Sequence, residues 1–320
     1  MTGEAVVRAE GVSKSFRVGL RALRAVEDVS VDVGKGEILA VVGESGSGKT
    51  TLGRCLLGLT RPSAGRILFH GDELGRMGRR ARAAFRRRVQ PVFQNPYSSL
   101  DPRWSVERTV REGLDAFGIG SPADRRARVA EVLDEVGLPG RHARSRPHQL
   151  SGGQRQRVAI AAALATRPEL IVADEPVSAL DVLVQAQILN LIAELQRGHG
   201  LTIVLITHDF AVVEHLADRV AVMYLGRVVE VGPTADVLAV PAHPYTRALI
   251  DSIPQAQAAP ASRAPRLAGE VPSPLDPPAG CPFHPRCPLA FDRCLEERPE
   301  LVAAGAGRLA ACHLVHPTSE

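Results

Sequence analysis

With 320 residues of which 45% are hydrophobic, the chain can bury a sizeable core in one large domain with an appendage or in two ordinary domains, so a disordered protein is excluded. A formal charge of +4 is too mild to indicate a nucleic-acid partner. No apolar run approaches the roughly 18 to 20 residues that span a bilayer, and the opening MTGEAVVRAEGVSKSF lacks the continuous apolar stretch of a signal peptide; the chain is expected in the cytoplasm, where any membrane role needs a partner that supplies the spans.

In chain order, VEDVSVDV (26–33) alternates with period two and predicts a half-exposed antiparallel strand. ILAVVG (38–43) is a short continuous apolar run, as are LIVAD (170–174) and LTIVLIT (201–207). Such runs mark strands buried on both faces, in a parallel sheet flanked by helices. The stretch 76–88 holds seven arginines with Phe85 as its one aromatic, too few rings for stacking on bases. It predicts a solvated helix face, or a contact with acidic lipid or an acidic partner.

Between about Gln94 and Thr166 strand signals vanish. PADRRARVAEVLDEVGL (122–138) has apolar residues at helical spacing and a helix stop at Gly137. RVAVMYLGRVVEVG (219–232) predicts a hairpin turning near Gly226. The fold class is therefore α/β through about residue 253, with a helical insertion at about 95–166. Ten prolines then fall between Pro254 and Pro288. They predict an extended connector over 254–280 and a small four-cysteine module over 281–320. No internal repeat is present.

Two stretches carry phosphate chemistry. GESGSGKT (43–50) follows a predicted strand and precedes a helical run, the context a P-loop requires. Gly43, Gly46 and Gly48 let the backbone turn its N–H groups toward a β-phosphate, with Glu44, Ser45 and Ser47 between them. Lys49 reaches the β- and γ-phosphates and the Thr50 hydroxyl ligates Mg²⁺. LSGGQRQRV (150–158) supplies a second anion-binding helix start, at Ser151, Gly152, Gly153 and Gln154.

Carboxylates complete the set. Asp174 ends a buried strand where it can hold Mg²⁺, and Glu175 after it can orient the attacking water for in-line displacement of the γ-phosphate. Gln94 in VFQNP can contact Mg²⁺ or that water, and His208 in LITHD can hydrogen-bond the γ-phosphate. Asp181 in SALD opens the following helix.

The order GESGSGKT, Gln94, LSGGQ, LIVADEP, SALD and His208 resembles the ATP-binding subunit of ATP-binding-cassette (ABC) transporters, over residues of about 5 to 235. The resemblance implies a P-loop NTPase cassette with a RecA-like core, an antiparallel β subdomain and a helical subdomain. It implies a head-to-tail dimer in which LSGGQ of one subunit closes over the γ-phosphate held by the P-loop of the other. Glu175 would be the catalytic base, His208 the γ-phosphate sensor, Gln94 the link to the membrane partner and Asp181 the link between facing sites. Phe16 stands where an adenine-stacking aromatic is expected, and ordinary strand packing is its alternative. Ala162 departs from the usual arginine, which touches a surface contact and not the catalysis.

VFQNPYSSLDPR (92–103) and HPYTRALIDSIP (243–254) resemble the oligopeptide, dipeptide and nickel importer branch. That branch implies a heterodimer with a sister ATPase on the cytoplasmic face of the membrane, beneath two permeases fed by an extracytoplasmic solute-binding protein. The segment after Gln94 and the helical subdomain would carry the permease-docking groove. Nickel or another small solute is the alternative cargo; a soluble cassette acting on ribosomes or DNA, or an exporter ATPase, is further off.

In the tail, Cys281, Cys287, Cys294 and Cys312 lack the tight C-x₂₋₄-C pair that zinc sites favour. Four thiolates can instead hold a [4Fe–4S] cluster, which some relatives in this branch carry here. Zn²⁺, with His284 or His313 as ligands, and unligated thiols are the other readings. Cys55, inside the P-loop helix, is expected to be plain packing.

Overall fold

In the computed structural model, residues 5–94, 100–252, 269–305 and 307–315 are described. Residues 95–99 after Gln94 and most of the expected connector, 253–268, fall outside them. The elements run β1 (Ala5–Val18), β2 (Arg21–Gly34), β3 (Ile38–Val42), α1 (Lys49–Leu56), β4 (Ala64–Phe69), β5 (Asp72–Glu73), α2 (Arg79–Arg88), β6 (Val89–Val92), α3 (Val106–Ala116), α4 (Pro122–Glu135) and α5 (Gly152–Ala165). Then follow β7 (Leu170–Asp174), α6 (Val182–His199), β8 (Thr202–Thr207), α7 (Phe210–Leu216), β9 (Arg219–Tyr224), β10 (Arg227–Pro233), α8 (Thr234–Ala239), α9 (Pro244–Asp251), α10 (Asp292–Glu296), β11 (Val302–Ala303) and β12 (Leu309–Ala310). The chain divides into two compact units, one of Met1–Val7, Val33–Glu37 and Phe69–Leu205, the other of Arg8–Asp32, Ile38–Leu68 and Ile206–Glu320.

In the first unit β6 and β7 pair in parallel, from Val89 opposite Leu170 to Val92 opposite Ala173, and β8 lies beside β7. β7 is buried until Asp174, as its unbroken apolar run predicts. Helices α3, α4 and α5 pack on one another, burying Val110 and Leu114, Val132 and Leu133, and Ala161 and Leu164. Cutting back one such leucine to alanine would cost about 2–5 kcal/mol. Their boundaries follow local chemistry. Ser105 caps α3, and Ser121 and Asp124 form a capping box that starts α4 at Pro122. That helix stops at Gly137 as expected, with Gly137 N donating to Asp134 O and Leu138 N to Leu133 O. In α2 Phe85 is buried against Phe69, ring centres 5.2 Å apart. Arg88 pairs with Glu169, while Arg79, Arg80, Arg82, Arg86 and Arg87 are exposed, the solvated face expected.

In the second unit β9 and β10 form the predicted hairpin, turning through Leu225 and Gly226, both at positive φ. β3 lies parallel to β9, β12 antiparallel to β10, and β11 against β12. A separate sheet has the order β2-β1-β4. The strict alternation expected for 26–33 is broken at Asp28, whose φ of 52° and bond from its N–H to Ser13 Oγ insert one residue between buried Val26 and buried Val29. The cysteine-bearing tail packs into the core of this unit. Cys281, Phe283 and Cys294 belong to the same apolar cluster as Val42, Val222 and Tyr224 of the central strands.

Candidate functional site

The second unit holds the P-loop. β3 ends at Val42 and α1 begins at Lys49, so 43–48 bridge a buried strand end and a helix start. The bridge tolerates no side chain at Gly48, where φ is +100° and a Cβ would sit 2.1 Å from the Ala25 carbonyl oxygen. No side chain caps α1, and a helix start favours an anion. Lys49 is 6% exposed, and its ammonium donates to Gly43 O at 2.6 Å, Glu44 O at 2.8 Å and Ser47 Oγ at 3.4 Å. The loop thus presents amides and a desolvated cation to one anion, with Thr50 in the first turn of α1. Cys55 in that helix is buried, and burial pushes its thiol up to about 11, so it packs as an apolar group.

Phe16 lies on β1 and is 41% exposed, its ring 5.1 Å from the Lys14 ammonium. It does not pack into the core as an ordinary strand residue would. His208 is exposed just past β8, and the next residue, Asp209, accepts from Ala211 N at the start of α7.

The first unit holds the carboxylates and the second glycine-rich helix start. Asp174 closes β7, and Glu175 follows with φ of +45°, a left-handed conformation that a non-glycine residue adopts at a cost. The turn is held by Ser178, whose Oγ donates to Glu175 O at 3.2 Å. Gln94 Nε2 donates to Glu175 Oε2 at 2.6 Å. Two residues 81 positions apart, singled out separately for work on one water, therefore touch.

Ser151 is the N-cap of α5. Its Oγ accepts from Gln154 N and its own N–H donates to Gln154 Oε1. The hydroxyl hydrogen remains to donate to a phosphate oxygen. A methyl group on Gly153 would sit 2.5 Å from Val184 Cγ1 of α6, so the small residue lets the two helix starts approach. Asp181 caps α6 through Val184 N at 3.0 Å, and the next two residues, Val182 and Leu183, are 82% and 71% exposed.

Residues that sequence reasoning missed surround the P-loop in the second unit. His243 caps α9 by accepting from Tyr245 N at 3.0 Å, with Pro244 at the first helical position. Buried Glu230 accepts from Ala242 N and His243 N, fixing the entry to this helix. The His-Pro pair is a helix-start signal of an unusual kind, legible as Pro at N1 but not as a route to the P-loop. Tyr245, so placed, accepts a hydrogen bond at its hydroxyl from Glu44 N at 2.9 Å. Arg286 from the tail donates to both carboxylate oxygens of Glu44.

Cys281, Cys287, Cys294 and Cys312 line one small cavity together with His284, His313 and Leu314. Burial raises the thiols of Cys281, to about 11, and of Cys287 and Cys312, and neighbouring cysteines of the group add to each rise. Among the described residues, no three His, Cys, Asp or Glu side chains converge as a single metal ion requires. No helix of the described residues is long and apolar enough to cross a membrane.

The profile of the ABC transporter family matches residues 26–178, and that of the oligopeptide/dipeptide transporter C-terminal region matches 229–294. A protein of Sinorhizobium fredii named as a peptide ABC transporter ATP-binding protein, y4tS, is 48% identical over 99% of this chain and 92% of its own length. One of Brucella ovis named as a peptide import ATP-binding protein is 45% identical over 98% of both. Among solved structures, the dimeric ATP-binding cassette MJ0796 bound to ADP and Pi superposes with a TM-score of 0.65 at 32% identity, over 71% of this chain and 98% of that one. The cbiO1 subunit of the Clostridium perfringens cbiONQ transporter gives 0.66 at 32% identity, over 74% and 91%.

Proposed function

Because the chain belongs to the ABC transporter ATPases, we propose that it is the ATP-hydrolysing subunit of an importer of dipeptides or oligopeptides. The cassette fold and the ATPase class follow from the family. The peptide cargo rests on full-length relatives with peptide-import names and on the match of 229–294 to the oligopeptide/dipeptide C-terminal region. The observation that carries the reading is the Gln94–Glu175 contact at the end of β7. It joins the residue assigned to the permease side with the carboxylate assigned to the water.

In this reading Lys49 and the 43–50 amides hold the phosphates, and Thr50, Gln94 and Asp174 offer the oxygen donors that suit Mg²⁺. The metal would neutralise charge on the phosphates. Glu175 orients and polarises the water, His208 senses the γ-phosphate, and Phe16 stacks on adenine. Ser151 to Gln154 complete the site of a facing sister ATPase, with Asp181 beside that junction. Exposed Val182 and Leu183 next to Asp181 suit burial against such a partner. The subunit then works as a peripheral protein on the cytoplasmic face, under two permeases fed by a solute-binding protein. The cassette spans 1–253 with its helical subdomain at about 95–166, the connector 254–280 and the tail 281–320.

The tail suits a [4Fe–4S] cluster. Four thiols share one cavity, which supports this reading. Such a cluster would staple the tail, in which all four of these cysteines lie. Anaerobic purification should give an absorbance band at about 400 nm and about four irons per chain; a colourless, zinc-loaded protein rejects it. For the transport reading, the complex with its sister ATPase, permeases and binding protein is reconstituted in vesicles. ATP-dependent uptake of a labelled tripeptide is expected; ATPase stimulation by nickel chelates or ribosomes, without peptide, refutes it.

A further inference from the structure

Glu44 is the second residue of the P-loop, and the far end of the chain grips it. Arg286 Nη1 and Nη2 donate to its two carboxylate oxygens at 2.7 and 3.0 Å. Its N–H donates to Tyr245 Oη at 2.9 Å, and its carbonyl oxygen accepts from Lys49 Nζ at 2.8 Å. Every polar group of this residue is therefore engaged, and one of its partners is the phosphate-binding lysine.

The grip is not a rim contact. The Arg286 side chain is 4% exposed, and a bidentate guanidinium–carboxylate pair so desolvated is directional as well as charged. Its guanidinium lies 5.9 Å from the Tyr224 ring centre. Tyr224, Tyr245 and Phe283 stack edge-on or tilted, with ring centres 4.7 to 5.4 Å apart, so neither the tyrosine nor the arginine can swing freely. Arg286 is carried by a 3₁₀ turn, His284–Arg286. That turn is pinned between two of the four cysteines, with His284 N donating to Cys281 O and Cys287 N to His284 O.

We propose that Arg286 and Tyr245 are positioning residues for ATP binding: they fix Glu44 and, through its carbonyl, Lys49, so that the cysteine-bearing tail sets the ATP affinity of this chain. The proposal rests on reading 43–50 as the ATP site. A phosphate-binding loop already held in its binding geometry, here with the Glu44 N–H satisfied by Tyr245, binds with a smaller ordering cost. Releasing Glu44 lets the loop wander and returns that cost.

The test is equilibrium binding of a fluorescent ATP analogue to the full chain, with KM and kcat for ATP measured in the assembled transporter. R286M is expected to weaken binding about tenfold and raise KM likewise at little changed kcat, because both charged hydrogen bonds to Glu44 are lost while the loop's other contacts remain. R286K should recover part of the loss, because it keeps the charge without the fork. E44Q and Y245F should each weaken binding about threefold. E44Q combined with R286M should bind no more weakly than R286M alone, since both cut one link. If R286M does not fold, R286K and E44Q, which preserve size, decide the matter by the same threefold criterion. Variants that bind ATP within twofold of wild type, or losses that multiply in the double variant, overturn the proposal while the ATP site stands. A wild-type chain that binds no ATP overturns both.

Discussion

His243 places a titration in the middle of the second unit. It is 2% exposed, its Nδ1 accepts from Tyr245 N, and burial holds its imidazole down at about 3 from an ordinary 6.5. The folded protein therefore keeps this ring neutral where the unfolded chain protonates it. A folded value below the unfolded one means stability is complete above about pH 6.5 and drains as the pH falls toward about 3. Integrating that difference from about pH 7.5 to about pH 5 gives a loss of about 2 kcal/mol. For a unit of this size it lowers the melting temperature by about 4–8 °C. The comparison is His243→Asn, whose amide oxygen can still cap α9 but does not titrate. Chemical unfolding of both proteins across that range should show the wild type losing about 2 kcal/mol more than the variant. Parallel profiles would refute the claim that a neutral, buried imidazole caps this helix.

Glu175→Gln should lower ATP turnover by about 10² to 10⁴-fold with nucleotide binding retained; single-turnover hydrolysis at the wild-type rate would strip Glu175 of its role. Ser151→Arg removes the α5 cap, costing about 1 kcal/mol in a melting curve, and fills the helix start with a bulky side chain. It should stop hydrolysis at the facing subunit's P-loop while this chain's own ATP affinity, read by analogue binding, stays near wild type. In Gly48→Ala the added methyl meets the Ala25 carbonyl at 2.1 Å in a left-handed backbone. ATP binding should fall below detection in a titration, and unaltered affinity would show that the loop does not need this conformation.

Legibility in the sequence followed the range of the physics. The strand, P-loop, helix order of 38–56, the helix start at Ser151 and the strand end at Asp174 depend on neighbours within a few residues, so the pattern of apolar and turn residues was enough to locate them. The hairpin at Gly226 and the helix stop at Gly137 were legible for the same reason. The bulge at Asp28 was not, because it depends on Ser13 across the sheet. Nor was the fate of the tail. Phe283 and two of the tail's cysteines join one apolar cluster with Val42, Val222 and Tyr224, residues far off in the chain.

What the amino-acid order by itself determined is the chemistry available: which side chains can hold phosphate, polarise water or bind a soft metal. What only the tertiary structure decided is which distant groups meet. Gln94 reaches Glu175 across 81 residues, and Arg286 reaches Glu44 across 242. Local propensity cannot encode such contacts, because the chain brings them together only by burying the surfaces between them.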